Sequence, residues 1–223
     1  MDGALAAQMG EAVAEKVLRY RRDRSGWKIC QEGNGVSVSW RPSVEFPGNL
    51  YRGEGIVNGP PEKVWDCIKP LAGSLREQWD ENVSHFEVIQ SITNTLCVTR
   101  TATPSAAMKL ISPRDFVDVA LVKKYEDGTI SSNATNVEHP SCPPKPGYVR
   151  GFNHPCGCFC EPVPGFLHPR RAMQLCCSSP GSPTRPTWSP SSRPTSAATS
   201  RAAWSTPSFR AAWLDFMPTF RKL

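Results

Sequence analysis

Lys109-Leu110-Ile111-Ser112-Pro113 leads into Arg114-Asp115-Phe116-Val117-Asp118-Val119-Ala120-Leu121-Val122-Lys123-Lys124-Tyr125, then Glu126-Asp127-Gly128-Thr129, then a second run from Ile130 to Val137. The first run is apolar and β-branched, which suits a long half-buried strand. Asp127-Gly128 predicts a tight primed turn, because such a turn needs positive φ and Gly supplies it without a Cβ clash. Pro113 holds Ser112 out of the helical region and marks the entry. A loop of small residues, Thr103-Pro104-Ser105-Ala106-Ala107, comes just before. The stretch therefore reads as a long antiparallel hairpin. Its first strand is expected to wall a cavity, with the preceding loop as the door.

Outward from this hairpin the pattern is mixed. Leu5, Met9, Val13, Val17 and Tyr20 recur at helical spacing, and Ser25-Gly26 ends that helix. Trp27 to Cys30 reads as a short strand, followed by the turn Glu32-Gly33-Asn34-Gly35. Val36, Val38 and Trp40 alternate with serines, giving one buried and one wet face. Leu50 to Val57 reads as a third strand. Gly59-Pro60-Pro61 breaks it and opens a helix with Val64, Trp65 and Ile68 on its buried stripe. Leu75 and Trp79 follow on a short turn. Val83 to Ile92 and Leu96 to Thr103 form a further hairpin, and Tyr148 to Val163 reads as one more strand. The order is helix, three strands, helix, then consecutive strands, which predicts an α+β fold with one antiparallel sheet.

Charge divides the chain. Residues 1–163 carry 18 Lys and Arg against 19 Asp and Glu, whereas the remainder has eight basic residues and one acid, Asp215. The net charge of +6 therefore belongs to the C-terminal part, and it argues against nucleic acid as a partner of the folded part. From Pro164 the chain is rich in Pro, Ser and Arg, with Pro183, Pro186, Pro190, Pro194 and Pro207 excluding a helix or central strand. Two segments are expected: a folded domain over 1–163 and a disordered tail over 164–223. Neither a signal peptide nor an apolar run of the ~18 residues needed to span a membrane is visible. The expected setting is the cytosol, so the nine Cys read as thiols.

His154 with Cys156, Cys158 and Cys160 is the metal candidate. Spacing of two along a strand puts all three sulfurs on one face, which favours core packing over a zinc site. None of the four His lies near a nucleophile motif, so neither a catalytic residue nor a cofactor is expected. A small hydrolase or metal protein stands as the less favoured alternative.

Trp27-Lys28, Asn34-Gly35-Val36, Tyr51-Arg52-Gly53-Glu54-Gly55, Val64-Trp65-Asp66, Trp79-Asp80, Ser112-Pro113-Arg114-Asp115-Phe116-Val117 and Val149-Arg150-Gly151-Phe152-Asn153-His154-Pro155-Cys156-Gly157 together resemble the StAR-related lipid-transfer (START) family over residues 1–163. The resemblance implies a helix-grip fold, a curved nine-stranded antiparallel sheet around a long C-terminal helix. One lipid lies between them and is carried without chemistry by a cytosolic monomer in transient contact with membranes. It implies a sterol-like ligand: cholesterol, an oxysterol or a bile acid. The lipid-binding positions implied are Trp79, Thr99, Thr101, Thr103, Ser105, Met108, Leu110, Phe116, Asp118 and Ala120. Trp79 reads equally well as a core residue. Arg114 and Asp115 are implied at the gate loop, either as its lock or as a plain charge pair at the strand start. In the steroid-producing branch an acidic residue and an Arg contact the sterol hydroxyl. Those positions fall on Thr101 and Ala120 here, neither charged, so high-affinity selection of cholesterol is not implied and a bile acid or oxysterol stays open.

The family's last strand and C-terminal gating helix are expected to be missing after Pro162. With codons chosen to fit and the frame moved back one base, Arg185–Ser189 can be read as Lys-Thr-Asn-Leu-Val, and Phe216–Leu223 as Phe-Tyr-Ala-Asn-Leu-Gln-Lys-Ala. The tail thus reads as a shifted frame from alternative splicing. Losing a helix that buries about five apolar side chains removes ~8–15 kcal/mol, against a typical domain stability of ~5–15 kcal/mol. The expectation is a form that folds poorly or leaves its cavity open, down to a non-functional or interaction-only variant.

Overall fold

The computed structural model describes residues 1–33, 35–58, 61–71, 74–105, 111–162 and 170–180. It opens with α1 (Gly3–Arg22), capped by the Asp2 carboxylate accepting from the Leu5 amide. Then come β1 (Lys28–Gly33), β2 (Val36–Pro42), β3 (Gly48–Asn58), α2 (Pro61–Ile68) and α3 (Arg76–Trp79). β4 (His85–Ser91), β5 (Leu96–Thr103), β6 (Arg114–Lys124), β7 (Ile130–Asn136), β8 (Val149–Arg150), β9 (Cys156–Pro162) and β10 (Arg170–Pro180) follow. One antiparallel sheet runs β1-β2-β3-β10-β9-β7-β6-β5-β4, and the short β8 pairs in parallel with the start of β6. The α+β helix-grip expectation for the sheet therefore holds, with nine strands on the continuous path.

α1 covers one face of this sheet. Ala6, Gly10, Val13, Ala14, Val17 and Tyr20 are its buried residues, packed against Val117, Val119 and Leu121 of β6, Leu96 and Val98 of β5, and Phe159 of β9. Leu5, expected on the buried stripe, is half exposed. The small residues turn inward instead because the helix lies close: a Cβ on Gly10 would sit 3.1 Å from the Leu121 Cβ. α2 covers the opposite face. There Val64 and Cys67 pack with Val36, Val38, Val57, Cys158 and Cys160, flanked by Trp65, Ile68, Leu75 and Trp79. We call this second face the inner face.

Three sequence readings are corrected. The β6–β7 turn is longer than a two-residue primed turn: the Gly128 amide bonds the Tyr125 carbonyl at 3.0 Å, and Gly128 takes φ +79° at the end of that turn. Asp127 contributes by accepting from the Thr129 amide. The strand read from Tyr148 to Val163 is two strands, β8 and β9. The break lies where Gly151 crosses the Phe116 ring, so closely that a Cβ there would come 2.3 Å from Phe116 Cε1. The third correction is the largest. No strand was expected beyond Val163, yet Arg170–Pro180 forms β10, in register from Arg170 opposite Asn58 to Pro180 opposite Gly48, and bonded to β9 on its other side. The prolines that argued against structure, Pro183 and beyond, all lie C-terminal to this run, which holds one proline, Pro180, at its last position. Two strand edges waiting to be paired outweigh its weak intrinsic pattern. The C-terminal helix position lies outside the described residues.

Candidate functional site

The alternation of β5 and β6 sorts the expected binding residues. On β6, Val117, Val119 and Leu121 face α1, so Phe116, Asp118, Ala120 and Val122 face inward. Register places Thr101 opposite Phe116, Thr99 opposite Asp118 and Cys97 opposite Ala120. β7 continues the inner face, with Asn136 opposite Asp118 and Ala134 opposite Ala120. Thr99, Thr101, Thr103, Phe116, Asp118 and Ala120 therefore share one surface. Thr103 is already engaged, since its Oγ1 accepts from the Arg114 amide at 3.2 Å. Ser105 lies past the end of β5 and is exposed. Met108 and Leu110 lie outside the described residues.

Trp79 stands across from this surface on α3. Its indole N–H donates to the Cys67 carbonyl at 2.8 Å, which locks α3 onto α2 and seats the ring in the inner apolar cluster. α3 is held in turn by Arg76 Nε donating to Asp80 at 3.1 Å.

Asp118 is the charged residue at the centre of the inner face. It is 6% exposed. One carboxylate oxygen, Oδ2, accepts from Asn153 Nδ2 at 2.8 Å, and the other, Oδ1, has no hydrogen-bond partner among the described residues. Burial pushes this carboxyl up to about 6, against the Asn153 bond and the charge of Arg76, which both favour the ionised form. Neither Asn153 nor Arg76 was read as functional from sequence. Asn153 is 35 positions from Asp118, and nothing in local pattern reports such a pair.

The two gate residues have separate partners. Arg114 and Asp115 are neighbours on a strand and point to opposite faces, so they do not pair with each other. Asp115, 0% exposed, accepts from Arg100 Nε at 3.0 Å and from Arg150 Nε and Nη2 at 3.0 and 2.9 Å. Burial opposes its charge, yet the hydrogen bonds from Arg150 and Arg100 prevail and hold it below the usual carboxylate range. Arg100 also reaches Glu87 at 3.1 Å and lies over the Tyr148 ring. Arg150 donates to the carbonyls of Cys142 and Pro143. Asp115 thus ties β5, β6 and β8 together behind the inner face. Arg114 reaches back toward the loop through Nη1 to the Ser112 carbonyl at 3.5 Å.

The cysteine run resolves as packing. Cys158 and Cys160 sit in the inner cluster with Val64, and Cys156 leans on the Ala134 carbonyl. His154 stacks flat on Phe46 with centroids 4.0 Å apart. Among the described residues no three His, Cys, Asp or Glu are placed to hold a metal ion. A cleft of about 730 Å³ lies elsewhere, lined by Arg21, Arg22, Arg24, Glu32, Glu54 and Glu161 among others. Its charged wall does not suit an apolar ligand. No described helix is long and apolar enough to cross a membrane.

Comparison with known proteins agrees with this geometry. A family model described as the START domain matches residues 7–167. Human StAR-related lipid transfer protein 5 is 82% identical over 165 residues, 74% of this chain and 78% of that protein. The Pongo abelii protein of the same name is 81% identical over the same shares. The solved structure of the human protein superposes with a TM-score of 0.81 at 59% identity, covering 99% of this chain and 97% of that one. Identity thus falls as coverage extends past the matched residues, which places the divergence in the last quarter of the sequence.

Proposed function

The chain belongs to the START domain family, and from that premise we propose that it binds one sterol-like lipid on its inner face and carries it between membranes without chemistry. The family match supports lipid binding, because relatives are named as lipid transfer proteins. The observation that carries the sterol-like reading is the composition of the inner face. Phe116, Ala120 and Val122 offer apolar area, while Thr99, Thr101 and Asp118 offer a few fixed polar groups, the usual economy of a lipid site. Thr101 and Ala120, where a cholesterol-selective relative is expected to carry an acid and an Arg, are both uncharged. This favours a steroid with hydroxyls beyond the one that cholesterol carries, such as an oxysterol or a bile acid, over cholesterol.

β10 makes the sheet continuous between β3 and β9, so the apolar face is in place. The residues beyond 167 depart from the family and hold the ligand less firmly than a family-like C-terminus does. The protein acts as a monomer in the cytosol with transient membrane contact, and it needs no cofactor.

Titration of the purified chain against cholesterol, oxysterols and bile acids tests this reading. One-to-one saturable binding of a hydroxylated steroid is expected, weaker than in a version carrying the alternative-frame C-terminus. Absence of binding to every member of the panel overturns the reading and leaves an interaction-only form. Turnover of any bound lipid overturns the non-enzymatic part.

A further inference from the structure

The buried polar atoms that lack a hydrogen bond among the described residues are Arg52 Nε, Arg100 Nη2, Asp118 Oδ1, Thr129 Oγ1 and Asn133 Oδ1. Four of them belong elsewhere than the inner face. Arg52 lies over the Trp27 ring, which packs with the α1 cluster. Arg100 shares Asp115 with Arg150 behind the sheet. Asn133 alternates with the inward Ala134 and Ser132 and reaches the Leu121 carbonyl, and Thr129 sits in the β6–β7 turn. Asp118 is the one whose strand position turns it to the inner face.

A buried carboxylate oxygen without a donor is costly, so a group that supplies one is favoured there. We propose that Asp118 orients the ligand, its Oδ1 accepting from a hydroxyl on the steroid nucleus while Asn153 holds Oδ2. The proposal rests on the lipid-binding reading and adds a substrate class and a direction to it. A hydroxyl fits because it donates without bringing charge. A carboxylate or phosphate is repelled, because two like charges at low dielectric cannot both stay ionised. An acidic steroid therefore enters with its hydroxylated rings against Asp118 and its acid group at the far end. A ketone in the hydroxyl's place brings a second acceptor and leaves Oδ1 unpaired, which sites of this kind reject strongly.

The groups around Asp118 are Arg76 of α3, Asn153 before β9, Thr99 of β5 and Asn136 of β7. Only Asp118 among these titrates between pH 5 and 8. Protonated, its carboxyl becomes a donor and accepts a ketone as a partner.

The test is equilibrium binding by the full chain of two uncharged steroids that differ only in a 3-hydroxyl against a 3-ketone. The wild-type chain is expected to prefer the hydroxysteroid by about tenfold or more at pH 7.5, with the preference shrinking at pH 5. In Asp118→Asn, whose amide both donates and accepts, the preference falls below about threefold at both pH values. Wild-type discrimination is readable without any variant. Equal binding of the two steroids by the wild-type chain, or an unchanged preference in Asp118→Asn, overturns the assignment of Asp118 while the lipid-binding reading survives. Failure of both steroids to bind the wild-type chain overturns the assignment together with the reading it rests on.

Discussion

Replacing Asp115 with Asn is expected to destabilise the fold severely while leaving its shape nearly unchanged. The carboxylate accepts three charged hydrogen bonds from Arg100 and Arg150, all between 2.9 and 3.0 Å, and is fully buried. The Arg100 and Arg150 side chains are only 6% and 16% exposed. Asn keeps the volume but removes the charge that both guanidiniums share. Arg100 retains Glu87, and Arg150 retains two backbone carbonyls. Breaking a buried charge cluster by removing one partner costs about 3–5 kcal/mol, more than the cluster's net worth, because the remaining charges stay buried. For a domain of this size each kcal/mol moves Tm by roughly 2–4 °C, so a fall of roughly 6–20 °C follows. Circular dichroism melts at pH 7 read this directly. A second signature lies in acid. The folded-state carboxyl titrates below its ordinary value, so its contribution is present above that value and is lost as pH falls through the lower folded one. The gap between wild type and Asp115→Asn must therefore close as the solution is acidified. A variant within about 1 kcal/mol of wild type at pH 7, or a gap independent of pH, refutes the reasoning.

Asp118 predicts the opposite sign. Its folded carboxyl stands at about 6, above the usual carboxylate value, so stability is fullest in acid and declines as pH rises through about 6. Asp118→Asn is expected to be more stable than wild type at pH 7 by up to about 3 kcal/mol, with no difference near pH 3, as read from melts across that range. Gly151→Ala puts a methyl group 2.3 Å from the Phe116 ring and is expected to cost about 1–3 kcal/mol by overpacking; a melt unchanged from wild type would show that the ring has room to move. Cys158→Ser or Cys160→Ser places a hydroxyl in the inner apolar cluster, with an expected loss of about 1–3 kcal/mol. Added zinc leaves the wild-type Tm unmoved, and a zinc-dependent rise in Tm would reinstate the metal reading.

Much of the sheet was legible because its signals are local. The β-branched run of β6, the Asp127-Gly128 turn and the helical spacing of α1 each report on neighbours within a few residues. Leu5 shows the limit of this: the helical pattern found the correct stripe but not how closely the helix lies, and close approach favours Ala6 and Gly10 over a larger side chain. β10 was missed for a related reason. Its partners, β3 and β9, supply its stability, and a strand held by its neighbours needs little pattern of its own. In the candidate site, the inward positions followed from alternation once β6 was placed. The partner that tunes Asp118 did not, because Asn153 lies on a stretch that reads as one strand and is in fact interrupted at Gly151.

The place of β10 also bears on how the polypeptide is made. Among the described residues, the hydrogen-bonded path from β3 to the rest of the sheet passes through β10. Asn58 leaves the ribosome long before its partner Arg170 is synthesised. At about 5–20 residues per second, the growing chain waits roughly 6–20 seconds with one edge of β3 unpaired. Such an edge is a template for unwanted pairing, and a closure spanning so much sequence is intrinsically slow. A chain stopped just before Arg170 never pairs that edge, so it is expected to aggregate on synthesis more than the full chain does, as sedimentation of the two translation products reads.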